Sequence, residues 1–449
     1  GNPTPPHHHH HPNHQRQQPP LPQRCIMADS PGRSLSPVEA TKAARKLWLT
    51  ATCQSDLNEV ERLYQLALSS KTQQSSSTTN QDDGEDEKNI DHDEPFTQAG
   101  EKLALLLCQS GRCEKAKKGL ASMGFTCRLA KQVLDYPCED DSDSTKNHTD
   151  AIANSEMKEK RKSLCQIIDG FLSQLELERL RLVFGSPTAS YWTDHNYAVE
   201  PPSPYFSYVI PLEEISLAEK SGKRQFGFIG DLIQKMMSCP LLNEKFPKLQ
   251  SEANFVELWA HNRPHASGHQ MHFDSDDEGR GGIRNPVIST ILYLTAENTA
   301  KDENGKATGG PSLVTNQKLT DIRLATKGFL AHPKSQRLVA FDGRYLHGVV
   351  PGKGFQTGRR VTLMLAFWEN IQIREGVGPG SARPFPNNNL PEWASQLVAP
   401  LDGDNDSNDY ESCAETDPIK LDAIYETLGG NAWKRGRGMP SYDQVFQGF

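Results

Sequence analysis

The sequence lacks any apolar run approaching the roughly 20 residues that a membrane-spanning helix needs; its longest candidate is Leu103–Cys108. No secretory signal is legible in its first residues. None of its nine cysteines stands in a CxxC pair, so neither a zinc ribbon nor a disulfide framework is expected, and a reducing compartment, cytoplasmic or nuclear, is. Apolar residues are scarce at 35%. That is too few for a wholly globular chain, so unstructured segments are expected beside a folded part. A basic stripe is also missing: the net charge is -8, and no nucleic-acid footprint is visible. The acidity is local, because Gln81–Glu94 carries eight acids and one lysine and leaves the rest of the chain nearly balanced.

What is present falls into segments. The 449 residues allow about two or three domains. Residues 1–36 are Pro- and Gln-rich and include the run His7–His11, which reads as part of a disordered low-complexity N-terminus and not as a metal site. Residues 37–137 read as a helical region interrupted by an acidic disordered loop at 71–95. Ser36-Pro37 supplies an N-cap followed by proline in the first turn, and Leu47, Leu57, Val60, Leu63 and Tyr64 recur at helical spacing. Ala104–Leu120 resembles the turn of a tetratricopeptide-type hairpin, although a solenoid needs about three repeats. Residues 138–160 are an acidic linker. Within 161–375 the pattern predicts one helix over Leu164–Leu182. Short β-rich runs follow at Phe206–Leu212, Phe255–Ala260, Val287–Thr295, Arg337–Phe341 and Arg360–Trp368. Such runs, punctuated by Gly, Pro, Asn and Asp, indicate an all-β sandwich or barrel. Residues 376–449 read as an irregular C-terminal tail.

The chemistry concentrates in three places. His272-Phe273-Asp274 is an H-x-D pair, and in an extended strand residues i and i+2 point the same way, so an imidazole and a carboxylate converge. His347 lies downstream in "LVAFDGRYLHGVVPG". Two imidazoles and one carboxylate leave three positions open, the facial triad of non-heme Fe(II) oxygenases, whereas zinc favours a fourth protein ligand or a catalytic water. Thirteen residues after His347 comes Arg360, in "GRRVTLMLAFW". Strand alternation puts Arg360, Thr362 and Met364 on one face. A buried arginine is costly unless it meets an anion, which a dicarboxylate supplies through a bidentate charge-assisted bond. Arg359 points to the other face.

Competing readings of nearby residues are weaker. Asp274–Gly279 imitates the start of a calcium loop, but its twelfth position is Asn285, not the required glutamate. His261, His265 and His269 read as surface or substrate-mouth residues, and Asp276 and Asp277 as solvated. Gly309-Gly310, with no lysine following, reads as a tight strand entry and not a phosphate loop.

His272-Phe273-Asp274, the strand Ser289–Thr295, Gly309–Val314, "RLVAFDG" before His347 and "GRRVT" after it together resemble the 2-oxoglutarate/Fe(II)-dependent dioxygenase superfamily, nearest its prolyl 4-hydroxylase-like branch. The resemblance covers roughly residues 200–370. It implies a mostly β fold: a double-stranded β-helix (jelly-roll) core with flanking helices, here preceded by the small helical region. It implies His272, Asp274 and His347 as Fe(II) ligands, Arg360 with Thr362 on the distal carboxylate of 2-oxoglutarate, and Tyr293 as a hydroxyl reaching that carboxylate or a core aromatic. Ascorbate is implied as reductant. The expected reaction hydroxylates an unactivated C–H bond, prolyl or another side chain of a protein or peptide substrate, with release of succinate and CO2. A small-metabolite hydroxylase and a non-catalytic protein-binding module on the same fold are the alternatives, and the N-terminal helices are a candidate docking site for a protein partner. One departure stands out: Pro333–Arg337 lacks the glycine common before the penultimate strand.

Overall fold

A computed structural model describes residues 35–51, 53–75, 94–137, 163–197, 205–220, 225–276, 284–294, 309–321, 323–353, 359–374, 381–401, 413–428 and 445–448. The low-complexity segment up to residue 34, residues 76–93 of the acidic loop and the linker expected at 138–160 lie outside them.

Four helices open the described chain: α1 (Pro37–Thr50), α2 (Gln54–Ser75), α3 (Glu94–Gln109) and α4 (Cys113–Ser122). α1 starts where the sequence places it. Ser36 Oγ accepts from the Glu39 amide at 3.3 Å while Glu39 Oε2 accepts from the Ser36 amide at 2.9 Å, a reciprocal cap that satisfies two donors the helix leaves unpaired. α2 runs to Ser75, into the loop expected from 71. α3 and α4 form the expected hairpin, with Gly111 at φ +73 in the turn, a conformation glycine adopts without steric cost.

The strands are β1 (Cys127–Leu129), β2 (Cys165–Asp169), β3 (Tyr208–Pro211), β4 (Phe255–Pro264), β5 (His269–His272), β6 (Ile288–Tyr293), β7 (Ser312–Lys318), β8 (Gly328–Ala331), β9 (Leu338–Phe341), β10 (Tyr345–Val349), β11 (Arg359–Trp368), β12 (Arg383–Pro384), β13 (Ala414–Thr416), β14 (Ile419–Leu421), β15 (Tyr425–Thr427) and β16 (Val445–Phe446). They make an eight-stranded sheet in the order β12-β3-β4-β11-β6-β9-β2-β13, a five-stranded sheet β14-β8-β7-β10-β5, and a three-stranded sheet β15-β1-β16. From β4 to β11 the chain crosses repeatedly between the two larger sheets, with β7 and β8 as one antiparallel pair in the smaller sheet, which is jelly-roll topology. The facing interior is apolar: Ile167, Tyr293, Val339 and Phe341 from the large sheet meet Val314, Phe329 and Ala331 from the small one.

β11 shows how alternation builds the molecule. It is paired along its length with β4 on one side and β6 on the other. Val361, Leu363, Leu365 and Phe367 enter a core covered by helices that include Gln174–Phe184 and Gly227–Ser238. Arg360, Thr362 and Met364 face the other way, into a cavity between the sheets. Burying such a row of apolar side chains contributes about 2 kcal/mol for each one fully removed from water.

Two sequence expectations are corrected. The single helix expected over Leu164–Leu182 is strand β2 followed by the helix Gln174–Phe184. Gly170 at φ +68 separates them, Ser173 caps the helix, and pairing with β9 holds Cys165–Ile168 extended. The tail expected to be irregular contributes β12 to β16 and the helix Glu392–Val398. These strands have two or three residues each; β12, β13 and β14 are added to edges of the two larger sheets and β15 and β16 flank β1, so they leave no period in the sequence.

Candidate active site

The ladder between β5 and β10 brings the first two candidates together. His272 and His347 are register partners on antiparallel neighbours, and their ring centroids lie 4.3 Å apart. Asp274 follows two residues after His272. Its Oδ1 is 3.6 Å from His272 Nε2 and 3.5 Å from His347 Nε2. One ligand atom from each of the three lies within 4.8 Å of the other two, the one group of three or more potential metal-ligating side chains found among the described residues.

The hydrogen bonds around the cluster orient it. His272 Nδ1 is 2.7 Å from the Gln270 carbonyl and His347 Nδ1 is 3.0 Å from the Tyr345 carbonyl. A carbonyl only accepts, so each Nδ1 donates and each Nε2 is turned toward Asp274; burial would lower His347, but the Asp274 carboxylate holds it above its ordinary value, so a metal ion at this point takes the place of the proton the pair shares. Asp274 Oδ2 accepts from Ser289 Oγ at 2.6 Å, which leaves Oδ1 toward the histidines. Burial by itself would raise the Asp274 carboxyl, but His347, His272 and the Ser289 hydroxyl outweigh it and hold the group well below the usual carboxylate range. Burial pushes His272 down to about 4, with His347 adding to the effect, so this imidazole is neutral and ready to ligate near neutral pH. These donors, two imidazole nitrogens and one carboxylate oxygen on one side of a cavity, fit a divalent iron ion that keeps positions open.

Arg360 and Thr362 line the same cavity, and both are buried. The Arg360 guanidinium donates long bonds to the carbonyls of Gly310 (3.5 Å) and Ser267 (3.3 Å), and burial pulls it down to about 10, so it stays cationic at neutral pH. Gly310 is required where it stands, because a Cβ there would strike the Val350 carbonyl; the tight strand entry read from Gly309-Gly310 is of this kind. Arg359 points away and donates to Asn262 Oδ1 at 2.5 Å. Tyr293 is fully buried between the sheets, and its hydroxyl lies 2.7 Å from Ser312 Oγ, a residue of the cavity wall.

One wall of the cavity is not indicated by the sequence pattern. The strand expected to end at Ala260 continues to Pro264, because β11 pairs with all of it and overrides the weak β preference of Asn, Arg and Pro. Trp259, His261 and Arg263 therefore share the cavity face, as carrying the i, i+2 alternation through Pro264 would have indicated. His269 also lines the cavity, while His265 is buried behind it. Asp276, read as solvated, is buried against Arg284 at 2.7 Å and accepts from the Gln372 amide at 3.2 Å; Asp277 lies outside the described residues. Among the described residues no helix is long and apolar enough to cross a membrane.

No family model and no curated protein matches the chain. Solved structures do. A prolyl-4-hydroxylase from Pseudomonas putida is 14% identical with a TM-score of 0.27, over 50% of this chain and 99% of that one. A prolyl hydroxylase from Trichoplax adhaerens, in complex with a hypoxia inducible factor oxygen degradation domain peptide fragment, is 14% identical with a TM-score of 0.27, over 49% and 90%. EctD from S. alaskensis is 15% identical with a TM-score of 0.28, over 51% and 81%. Likenesses this distant carry no argument about the reaction, which rests on the side chains above. They state likeness alone: the chain is similar to solved oxygenases of the 2OG-Fe(II) family, a prolyl-4-hydroxylase among them.

Proposed function

We propose that the chain is an Fe(II)- and 2-oxoglutarate-dependent oxygenase that hydroxylates an unactivated C–H bond, with His272, Asp274 and His347 as the iron ligands. One observation carries this reading: three convergent donors and a buried arginine line a single cavity. His272 Nε2, His347 Nε2 and Asp274 Oδ1 would hold the ion, and Arg360, assisted by Thr362, would hold the far carboxylate of 2-oxoglutarate. The bound iron and cosubstrate supply the oxidising chemistry, with succinate and CO2 as by-products and ascorbate as the maintaining reductant. The protein's own part is positioning. Gln270 and Tyr345 carbonyls fix the imidazole tautomers, Ser289 fixes the carboxylate, and the apolar walls Trp259, Ile291, Phe341 and Met364 limit water around the reacting carbon. Tyr293 acts through Ser312, keeping that hydroxyl oriented beside the cosubstrate. For the substrate we propose a protein or peptide side chain, proline first, because the motif resemblance is nearest that branch.

The test needs no substrate. Fe(II) and 2-oxoglutarate mixed with the protein without oxygen are expected to give a visible metal-to-ligand charge-transfer band that Asp274→Ala abolishes. In Arg360→Ala, half-saturation by 2-oxoglutarate is expected to rise about 10- to 100-fold, the value of one charged hydrogen-bonding anchor, with iron affinity retained. Equal 2-oxoglutarate affinity in Arg360→Ala and wild type would sink the assignment.

A further inference from the structure

Arg263 has no part in the reading above, yet it stands opposite Arg360. The two are register partners on β4 and β11, and both line the cavity. Arg263 Nε donates to the Tyr197 hydroxyl at 3.3 Å, and that hydroxyl is 3.2 Å from His261 Nδ1. Among the described residues no carboxylate pairs with Arg263, and Asp274 is the one carboxylate in the described cavity wall. The neighbouring imidazole adds no counter-charge: burial, then Arg263 and Arg360, push His261 well below its ordinary value and keep it neutral.

Charge balance then asks for one more anion. With iron bound, a divalent ion and two guanidiniums carry four positive charges. Among the described residues of the wall, Asp274 supplies one negative charge, and a dicarboxylate adds two. The unmatched charge is that of Arg263, half withdrawn from water at the cavity edge, where an unpaired charge is costly. We infer that Arg263, held by Tyr197, is a specificity-determining residue that binds a carboxylate of the substrate close to the carbon that is oxidised. The inference rests on the oxygenase reading and deepens it. The planar guanidinium fork suits a carboxylate, which an acidic residue beside the target in a peptide or the carboxylate of a free amino acid can supply.

The experiment uses the full chain loaded with Fe(II) and 2-oxoglutarate in the absence of oxygen. Wild type and Arg263→Met are first titrated with 2-oxoglutarate through the charge-transfer band, and half-saturation is expected to agree within about 3-fold, because Arg263 is not the cosubstrate anchor. The loaded proteins are then titrated by calorimetry with a peptide carrying glutamate on both sides of a single proline, the same peptide with lysines, and free L-proline. The glutamate peptide or free L-proline is expected to bind about 10-fold or more tightly than the lysine peptide, one charge-assisted contact. Arg263→Met is expected to erase the preference and Arg263→Lys to keep part of it, with melting temperatures unchanged. Preference for the glutamate peptide identifies a peptide source, and preference for L-proline alone a free amino acid. The inference is overturned if no carboxylate probe binds, if the preference survives in Arg263→Met, or if Arg263→Met loses 2-oxoglutarate as Arg360→Ala does. A missing band in wild type fails the oxygenase reading itself, and this inference with it.

Discussion

Ser289 touches only the oxygen of Asp274 that faces away from the histidines, so its effect on a metal is indirect. Without that hydroxyl the carboxylate is free to rotate and share both oxygens with the imidazoles, and the preorganised donor set is lost. Ser289→Ala is expected to weaken Fe(II) binding by about 10- to 100-fold, the usual cost of removing an outer-shell partner. Titrating the charge-transfer band with Fe(II) reads this directly. A merely structural serine would lower the melting temperature and leave the iron midpoint in place. Ser289→Thr, which keeps the hydroxyl, is expected to recover most of the affinity. The proposed ligands His272 and Asp274 are legible because their signal is local: H-x-D needs only the two-residue period of an extended chain, which carries past the end of β5 at His272 to Asp274. Ser289 was inside a strand the sequence indicated, but nothing along the chain says that β6 passes beneath Asp274. That fact belongs to sheet order.

At the scale of elements, the turn into β9 explains how the chain does without the glycine expected before that strand. Gln336 occupies the left-handed region at φ +64, which costs a residue with a Cβ about 1 kcal/mol. Three bonds offset the cost: its amide donates to the Tyr293 carbonyl at 3.1 Å, its carbonyl accepts from the Phe171 amide at 2.9 Å, and its side chain donates to the Leu172 carbonyl at 2.8 Å. The next residue anchors the turn to β2. Arg337 is buried and grips Asp169 with two bonds, Nε to Oδ1 at 2.6 Å and Nη2 to Oδ2 at 3.0 Å, while Lys334 adds a third at 2.8 Å. Burial would raise the Asp169 carboxyl, but Arg337 and then Lys334 hold it down to about 2. A carboxyl whose folded value lies below its unfolded one stabilises the fold above the unfolded value and loses that contribution as pH falls through the folded value. Asp169 is therefore expected to contribute about 2 kcal/mol near neutral pH, lost progressively between about pH 5 and pH 2. Urea unfolding across that range should show the decline in wild type and a flatter profile in Asp169→Asn. At pH 7 the variant is expected to be less stable by about 3 kcal/mol or more, because it removes the carboxylate that the buried Arg337 grips with two bonds. A parallel pH dependence in both proteins would remove Asp169 from this role. The sequence could not announce this pair. Asp169 sat in a stretch whose apolar pattern suited a helix equally well, and only pairing with β9 decided for a strand.

The whole molecule ties the N-terminal helices to the site more closely than their separation in sequence suggests. Residues from α1 to α4 share one core with Met271, Leu313, Leu330, Leu346 and Val350 of the five-stranded sheet and its borders. The C-terminal β15 and β16 close over β1 from both sides. The loop after β10 is bound to the same region: Lys353 Nζ donates to Asp135 Oδ1 at 3.0 Å and to the Tyr136 carbonyl at 2.7 Å, and Gln109 donates to the Pro351 carbonyl at 2.7 Å. Met271 and Leu346 are the chain neighbours of His272 and His347. Alternation sends the histidines into the cavity and these two into the shared core. The helices thus back the two strands that carry the imidazoles, a role invisible in the sequence because the contacts span more than a hundred residues. A chain shortened to begin after residue 137 exposes that apolar face. It is expected to melt at least about 10 °C below the full chain, since each large core side chain uncovered costs roughly 2 kcal/mol. Its charge-transfer band is expected to need more Fe(II) to saturate, because the backs of β5 and β10 have lost their packing. Leu346→Ala in the full chain separates the two effects. It is expected to cost about 2–5 kcal/mol of stability and to loosen iron, while a comparable cavity far from the site, Leu232→Ala in the helix Gly227–Ser238, costs stability alone. If both cavity variants bind iron equally well, the helices support the fold without setting the positions of His272 and His347.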